Sequence, residues 1–259
     1  MAKLYYAAAT HEGKVRANNE DNFWVNGFFR EDVTQNRLRC DGKVFPNRFV
    51  AAVCDGMGGE SFGEVASLLA VGCVQPHTYY ELPEGAKADI QTANSKICQF
   101  ITEHDGMRSG STLAALYIDS GRAVCCNVGD SRVYLLRKGK LSRLSKDHNS
   151  AQRLIDSGQM TEDEARDSSA KRTLTQYLGI FEEEMLLEPH FSEPMTVQNN
   201  DCFLLCSDGI TDMLWDAEIV QILSERSRPT WQAAQLIEAA LDSGGKDNIT
   251  AIVVHVKML

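Results

Sequence analysis

The sequence has no apolar run long enough to cross a lipid bilayer and no linker rich in proline or serine. The first absence argues against a membrane-spanning protein. The second, together with the lack of internal repeats, predicts a single domain over residues 1–259. Only a short apolar stretch precedes the polar residues 10–13, so we also expect no signal peptide.

Positively charged residues are in the minority. The chain has 26 lysines and arginines and 36 aspartates and glutamates, which gives a net charge of -10. A nucleic-acid-binding surface needs a basic face, so this balance argues against nucleic acid as a partner. Hydrophobic residues make up 43% of the chain and charged residues 24%, which is typical of a soluble globular protein.

No C-x-x-C pair occurs among the eight cysteines, so the spacing indicates neither a zinc site nor a redox motif. Most of the cysteines lie inside apolar runs, where a free cysteine behaves as a small buried hydrophobic residue. These are Cys54, Cys73, Cys98, Cys125, Cys126, Cys202 and Cys206. We interpret them as structural and expect a reducing, cytoplasmic compartment.

Aspartates lie at the edges of four strand-like apolar runs. Asp55, Asp130 and Asp208 follow three such runs, and Asp247 precedes the fourth. Any one of them alone is most simply a turn aspartate. Carboxylates gathered at the rim of a sheet, however, repel one another unless a hard cation neutralises them. Jointly they predict a centre with oxygen ligands for magnesium or manganese, to which Gly56 can add its backbone carbonyl.

A second charged set occupies residues 13–21, where Arg16 is followed by Glu20 and Asp21. Such a cluster usually decorates a solvated loop, so it is a weak signal in isolation. Beside a metal centre it gains meaning, because arginine is the natural bidentate partner of a phosphate dianion. The two acids would then hold metal-bound waters.

Strand patterns come in runs and helix patterns in adjacent pairs, which favours an α+β protein with two sheets, each covered by a helix pair. The predicted helices span residues 64–79, 86–104, 216–225 and 230–242. The predicted strands span residues 3–10, 22–28, 112–119, 123–128, 132–136 and 249–256, with further strands near Leu186 and Cys202. Residues 31–47 are interpreted as a hairpin-like excursion that turns at Asp41–Gly42, and residues 149–172 as a small helical excursion on the surface.

The motifs follow one another in order along nearly the whole chain, at residues 13–21, 55–59, 110–113, 128–132, 147–149, 174–179, 207–209 and 247–250. This ordered set resembles the metal-dependent serine/threonine protein phosphatases of type 2C, the PPM family, in their compact bacterial form. The resemblance implies a four-layer αββα sandwich, with two antiparallel β-sheets flanked by helix pairs. It also implies a binuclear metal site at one end of the two sheets.

By position, the resemblance makes Asp55 the carboxylate that bridges two Mn²⁺ or Mg²⁺ ions. Asp208 and Asp247 would ligate the first ion, and the carbonyl of Gly56 would ligate the second.

The resemblance also implies roles around these ligands. Glu20 and Asp21 would hold waters of the second ion, and Asp130 with its partner Asp208 would form a weaker third metal site. Arg16 would bind the substrate phosphate, and Asn248 would support the loop of the last aspartate through hydrogen bonds.

The implied activity is hydrolysis of phosphoserine and phosphothreonine in proteins, by direct attack of a metal-bridging water or hydroxide. The implied partners are phosphoproteins, with a cognate serine/threonine kinase and its substrates among them, and we expect a monomer. The alternative is a catalytically silent phosphoprotein-binding or scaffold protein on the same fold. A third hypothesis is a hydrolase of small phosphate esters or phosphodiesters. No predicted metal ligand is missing from the sequence, which favours the first hypothesis.

Three positions depart from patterns common in the family. Met57 stands where eukaryotic members often carry a histidine proposed as the general acid, so a metal-bound water is expected to protonate the product. Gln176 stands where bacterial relatives commonly have arginine, and Asn149 where they have serine or threonine. These changes bear on substrate preference more than on catalysis.

Two segments have no assigned chemistry. Residues 29–47 form a longer segment than a compact member needs, interpreted as a neutral surface insertion, with a partner-docking hairpin as the alternative. A surface flap at about 146–172 resembles the mobile segment that lines substrate approach in bacterial relatives, and its charges are also compatible with a solvated face. We expect His148, just before this helical part, to be a structural hydrogen-bonding residue.

Overall fold

The structure, a computed structural model, describes residues 2–45, 48–58 and 62–258. Gly59 of the 55–59 motif and the last two residues of the 29–47 segment lie outside this range. The strands are β1 Ala2–His11, β2 Asn22–Val25, β3 Phe28–Phe29, β4 Leu38–Val44, β5 Arg48–Cys54, β6 Gly56–Met57, β7 Gly110–Ser111, β8 Leu113–Asp119, β9 Arg122–Val128, β10 Arg132–Arg137, β11 Lys140–Arg143, β12 His190–Phe191, β13 Met195–Thr196, β14 Cys202–Cys206 and β15 Ile249–Met258. The helices are α1 Gly63–Val71, α2 Glu84–Glu103, α3 Ser150–Asp156, α4 Glu162–Asp167, α5 Asp208–Thr211, α6 Asp216–Ser224 and α7 Pro229–Asp242, with a 3₁₀ turn at Ser169–Arg172.

Two large antiparallel sheets carry the fold. The first has the strand order β11-β10-β14-β15-β1-β4, and the second has the order β12-β9-β8-β5-β2-β3, with β13 also paired to β9. The short strands β6 and β7 pair with each other beside the second sheet. The order is far from sequential, because the first sheet joins the two ends of the chain through β1 and β15.

The central strands are apolar throughout because both of their faces are buried. In β5, Phe49 and Val53 point into the core between the two sheets, where they meet residues such as Phe203. Val50 and Ala52 point the other way, into the core beneath α1 and α2. Strict alternation of side chains across a strand therefore supplies two hydrophobic layers from one continuous apolar run.

Helices cover the outer face of each sheet. The face of α2 that carries Ile90 and Ile97 packs on the second sheet. Leu236 and Ile237 of α7 pack on the first. The result is the four-layer αββα sandwich that the resemblance implied. No helix within the described ranges combines the length and apolar character needed to cross a membrane.

Two predicted elements end earlier than expected. The helix predicted over 64–79 ends at Val71, where Gly72 follows as its C-terminal cap. The strand predicted over 22–28 is a tight hairpin instead, because Asn26 and Gly27 both have positive φ, at 49° and 89°. Asn-Gly is the strongest short-range hairpin signal, so the pair Asn26–Gly27 marks this turn in the sequence itself.

The interpretation of residues 31–47 as a hairpin turning at Asp41–Gly42 is wrong. Both residues lie inside β4, which is one edge strand of the first sheet, paired along its length with β1. Gly42 lies opposite Tyr6 in this ladder, and a Cβ there would come within 2.5 Å of the tyrosine hydroxyl. The glycine thus makes room for a ring and does not form a turn. Because the 29–47 segment contributes a strand to the sheet, its interpretation as a neutral surface insertion is also wrong.

The strand predicted near Leu186 is absent from the described structure at that place. Leu186 is 73% exposed in a loop, and the next strand, β12, begins only at His190. The strand β12 pairs with residues of β9 that lie more than 60 positions away in sequence, so no local pattern marks where it begins. The strand β11 and the short helix α5 were also not predicted from the sequence.

Candidate active site

The four strand-edge aspartates meet at one rim of the sandwich. Asp55 and Asp130 follow β5 and β9 of the second sheet, whereas Asp208 follows β14 and Asp247 precedes β15 of the first. The antiparallel registers place these strand ends on the same side, since Cys206 at the end of β14 pairs with Ala251 near the start of β15. All four aspartates line one open cleft of about 1360 Å³.

The carboxylates in this cleft repel one another. Burial, followed by the charges of neighbouring aspartates, raises the pKa of Asp55 and of Asp208 well above the ordinary aspartate range. Burial and the charge of Asp147 raise the pKa of Asp130 to about 7. Burial raises the pKa of Asp21 to about 6, although two hydrogen bonds oppose the shift. The rim is therefore short of positive charge.

Two carboxylate oxygens in the cluster are left without protein partners. Oδ1 of Asp21 and Oδ1 of Asp208 are both buried and accept no hydrogen bond from any residue that the structure describes. In the described ranges no three histidine, cysteine or acidic side chains stand in a finished metal-ligand arrangement. The charges of neighbouring aspartates nonetheless contribute, after burial, to the raised pKa values of Asp55 and Asp208. Unpaired buried oxygens with mutual repulsion fit a hard, oxygen-seeking dication.

The loop that contains residues 18–21, termed here the acidic loop, is tied to the last strand. The Asn248 side chain accepts a hydrogen bond from the Glu20 backbone N–H at 2.7 Å and donates to the carbonyls of Glu12 and Asn18. The Asn248 backbone N–H donates to Oδ1 of Asp247 at 2.9 Å. Asn248 therefore supports both the aspartate loop and the acidic loop.

Asp21 is held from the other side. Its Oδ2 accepts hydrogen bonds from the hydroxyls of Ser207, at 2.6 Å, and Thr250, at 2.7 Å. Sequence reasoning missed both hydroxyl residues, although each lies inside a motif it had singled out. They fix one carboxylate oxygen and leave the other free.

Glycine is required where Gly56 approaches the acidic loop. A Cβ on Gly56 would collide with the carbonyl oxygens of Gly63 and Glu20. The Gly56 backbone N–H donates to that same Glu20 carbonyl at 3.2 Å. The backbones of Gly56, Gly63 and Glu20 therefore come very close to one another, which only glycine at position 56 allows. Gly56 is the residue whose carbonyl the sequence predicted as a metal ligand.

Arg16 reaches into the cleft from the loop before β2. Its Nη2 lies 2.7 Å from Oδ2 of Asp247, and its side chain remains 54% exposed. Other cations that line the cleft were not predicted, among them Arg172 and Lys171, whose Nζ lies 2.9 Å from Oδ1 of Asp212. Lys171 and Arg172 lie at the end of the predicted flap, where no local motif marks them.

The flap and its flanks carry the remaining predicted residues. Asn149 caps α3 by accepting a hydrogen bond from the Gln152 backbone N–H. Gln176 bridges Leu186 and Glu188 through their backbone groups, so it shapes a loop instead of contacting the aspartates.

His148 has the structural role that the sequence predicted. Its Nδ1 accepts a hydrogen bond from the Gly129 backbone N–H at 3.3 Å. Burial lowers the pKa of His148 to about 4, so the ring is neutral near neutral pH. Met57 lines the cleft and offers no proton.

Comparisons with known proteins agree with this geometry. The family described as Protein phosphatase 2C matches residues 26–241. Serine/threonine protein phosphatase PstP of Mycobacterium tuberculosis is 34% identical over 98% of this chain and 45% of its own length, so the chain spans about half of that relative. Serine/threonine phosphatase stp of Listeria welshimeri is 32% identical over 95% of this chain and 93% of its own. The crystal structure of the PstP catalytic domain in complex with two manganese ions superposes with a TM-score of 0.80 at 31% identity, covering 100% of both chains.

Proposed function

Because this chain belongs to the protein phosphatase 2C family, we propose that it is a metal-dependent phosphatase that hydrolyses phosphoserine and phosphothreonine in proteins. The observation that carries the proposal is the convergence of Asp55, Asp208 and Asp247 with Arg16 on one open cleft. A wide cleft admits a side chain attached to a polypeptide. The proposed unit is a single phosphatase domain over residues 1–259, with a flap at about 146–172.

In this proposal Asp55, Asp208, Asp247 and the carbonyl of Gly56 would hold two divalent cations. Asp55 would be shared by both, Asp208 and Asp247 would belong to the first, and Gly56 to the second. The buried, unpartnered Oδ1 of Asp208 supports its assignment. The raised pKa of Asp55, caused by burial and then by the charges of four neighbouring aspartates, supports the assignment of that residue. Manganese is supported by the manganese-bound PstP neighbour, and magnesium shares its preference for oxygen ligands.

The outer residues complete the site. Glu20 and Asp21 would hold waters of the second ion, and the hydroxyls of Ser207 and Thr250 keep Asp21 in place. Asp130 and Asp208 would form a weaker third cation site: both line the cleft, and the charge of Asp130 contributes, after burial, to the raised pKa of Asp208.

Bound cations would supply a nucleophile at neutral pH and offset the charge of the phosphoryl oxygens. Arg16 binds two phosphoryl oxygens of the substrate through its planar guanidinium, which orients phosphorus toward the carboxylate rim. Asp247 and the phosphate compete for Arg16, since the arginine pairs with Asp247 at 2.7 Å in the structure. Ligation of a cation by Asp247 would release Arg16 for substrate.

The thiol and the hydroxyl that lie beside Asp55 are poorly suited to a phosphoenzyme route. Burial raises the pKa of Cys54, next to Asp55, well above that of an ordinary thiol, so a thiolate is disfavoured. The hydroxyl of Thr112 shares a hydrogen bond with Ser131 and accepts another from the Asp55 backbone N–H. These two observations favour direct attack by water.

A catalytically silent scaffold is the weaker alternative, because every predicted cation ligand is present and the four strand-edge aspartates line one cleft. The proposed partners are phosphoproteins, with a cognate serine/threonine kinase among them. We further propose a cytoplasmic monomer, in keeping with eight unpaired cysteines.

With manganese, the purified protein is expected to hydrolyse a phosphothreonine peptide, and chelation is expected to lower the rate by at least about 100-fold. Malachite-green release of phosphate measures this. A parallel assay with a small phosphomonoester and a phosphodiester separates the protein phosphatase from a small-ester hydrolase. Binding of the phosphopeptide without any turnover would instead support the scaffold.

Arg16→Ala is expected to raise KM for the phosphopeptide by about 10-fold, equivalent to ~1.4 kcal/mol, because uniform phosphate binding is lost. The affinity for manganese should not fall, since the arginine pairs with Asp247 and so competes with a cation for that carboxylate. Lys14→Ala, an exposed cation on the same loop, is the control. A collapse of metal affinity in the arginine variant would show that Arg16 is structural.

A further inference from the structure

Arg30 is an arginine with no exposed surface, and its guanidinium is used to hold the acidic loop. Nη2 donates to the backbone carbonyls of Asn19, at 2.8 Å, and Asp21, at 2.7 Å. These two carbonyls flank Glu20. Nη1 donates to the carbonyls of Val33 and Gln35, at 3.2 and 3.0 Å. One side chain therefore joins the acidic loop to residues 30–36, termed here the bracket.

Asn36, at the other end of the bracket, grips the same loop. Its side-chain oxygen accepts a hydrogen bond from the Asn19 backbone N–H at 3.1 Å, and its carbonyl accepts one from the Asn19 side chain at 2.8 Å. Its side-chain amide donates to the carbonyl of Ala17 at 3.4 Å. The Asn22 side chain in turn holds both backbone groups of Arg30. The acidic loop is thus enclosed by bracket contacts on several of its peptides.

The bracket is connected to the Asp21 carboxylate by a short buried chain of hydrogen bonds. The Asn19 side chain donates to the Thr10 hydroxyl at 2.8 Å, which lies 2.7 Å from the Thr250 hydroxyl. Thr250 then donates to Oδ2 of Asp21 at 2.7 Å. Moving Asn19 would therefore move the partners of the carboxylate as well as its backbone.

We propose that Arg30 is a positioning residue that sets Glu20 and Asp21 for cation binding, with Asn36 as its partner in the bracket. This inference rests on the proposed function, since it assumes the metal centre of that proposal. Partners behind metal-binding groups typically contribute 10- to 100-fold to metal affinity. The bracket is built from the 29–47 segment, which therefore serves the site itself.

An arginine suits this place because its planar guanidinium offers five donors in a fixed fork, whereas a lysine offers one compact ammonium. The Arg30 charge is not neutralised by a salt bridge within the described ranges. Four carbonyls accept hydrogen bonds from Nη1 and Nη2, whereas Nε has no partner among the described residues. Arg30 also lies close enough to Asp21 to lower the pKa of that carboxyl, opposing the effect of burial. Lysine would keep the charge and lose most of the geometry.

The test compares manganese binding by calorimetry in Arg30→Lys, Asn36→Ala and the wild type, with Arg39→Met as a control on the same segment. Arg39 is exposed on β4. We expect roughly 10- to 100-fold weaker binding for Arg30→Lys and about 3- to 10-fold for Asn36→Ala, which removes two hydrogen bonds without deleting a buried charge. Arg39→Met should bind like the wild type. Near-ultraviolet circular dichroism at the titration temperature verifies that each variant is folded.

A second readout separates positioning from mere stability. At saturating manganese, KM for a small phosphate ester should stay within about 2-fold of the wild type, while the manganese concentration for half-maximal rate rises with the calorimetric Kd. If Arg30→Lys does not fold, Asn36→Ala decides the question. Folded variants that bind manganese like the wild type would overturn the role of Arg30 and leave the phosphatase proposal intact. A wild type that binds no manganese would overturn the phosphatase proposal first.

Discussion

Asp208→Asn is expected to lower kcat on a phosphothreonine peptide by about 10³-fold or more, the largest loss we expect from a single conservative change. An amide keeps the size of the side chain but removes the negative charge that ligates a cation. Asp208 has one oxygen buried without a partner, so this loss has no substitute within the protein. Manganese binding, measured by calorimetry, should weaken in parallel.

Asp242→Asn is the matched control, because Asp242 is an exposed aspartate at the end of α7, away from the cleft. It should leave kcat and manganese affinity unchanged. The metal-free Asp208→Asn protein should be no less stable than the wild type, since the change relieves repulsion. Unchanged turnover in this variant would refute the assignment of the site.

Asp55→Asn is expected to stabilise the metal-free protein while it abolishes turnover. Burial and four neighbouring aspartates raise the pKa of Asp55 well above its ordinary value. The folded state therefore binds this proton more tightly than the unfolded chain, whose aspartate pKa is about 3.9. As pH rises from about 4 through the folded pKa, the wild type loses stability that the neutral amide retains.

The difference in Tm between metal-free Asp55→Asn and the wild type should thus grow with pH and reach about 5 °C or more at pH 8. Comparing the two proteins cancels the contributions of other groups, including the buried histidines His148 and His255, whose pKa values lie near 4. Manganese should reverse the order, because only the wild type retains the bridging carboxylate. A constant difference from pH 5.5 to 8 would mean that Asp55 is not under electrostatic strain.

Several features of this protein followed from local sequence. Apolar runs such as 49–54 predicted buried strands, and the periodicity of 86–104 predicted a helix, because both signals depend on neighbours within a few residues. The strand-edge aspartates were found for the same reason. Their positions beside Gly56 and Asn248 are a local pattern, although their convergence is not.

Other features depended on partners far apart in the chain. Residues 38–44 form an edge strand because β1 offers them a ladder, whereas their own sequence suggested a turn at Gly42. A charged residue such as Arg30 is expected on the surface. In the structure it is fully buried and donates hydrogen bonds to two carbonyls of the acidic loop.

The sequence alone determined the α+β layering, the family resemblance and the set of acidic side chains, because hydrophobic alternation and short motifs are written within single elements. Only the tertiary structure decided how those acids are held. Thr250 donates a hydrogen bond to Asp21, which is 229 positions away in sequence, and Arg16 donates one to Asp247, which is 231 positions away. Such contacts form when two sheets pack and bring their strand ends to one rim. No local sequence pattern predicts which hydroxyl or guanidinium group will lie beside each carboxylate.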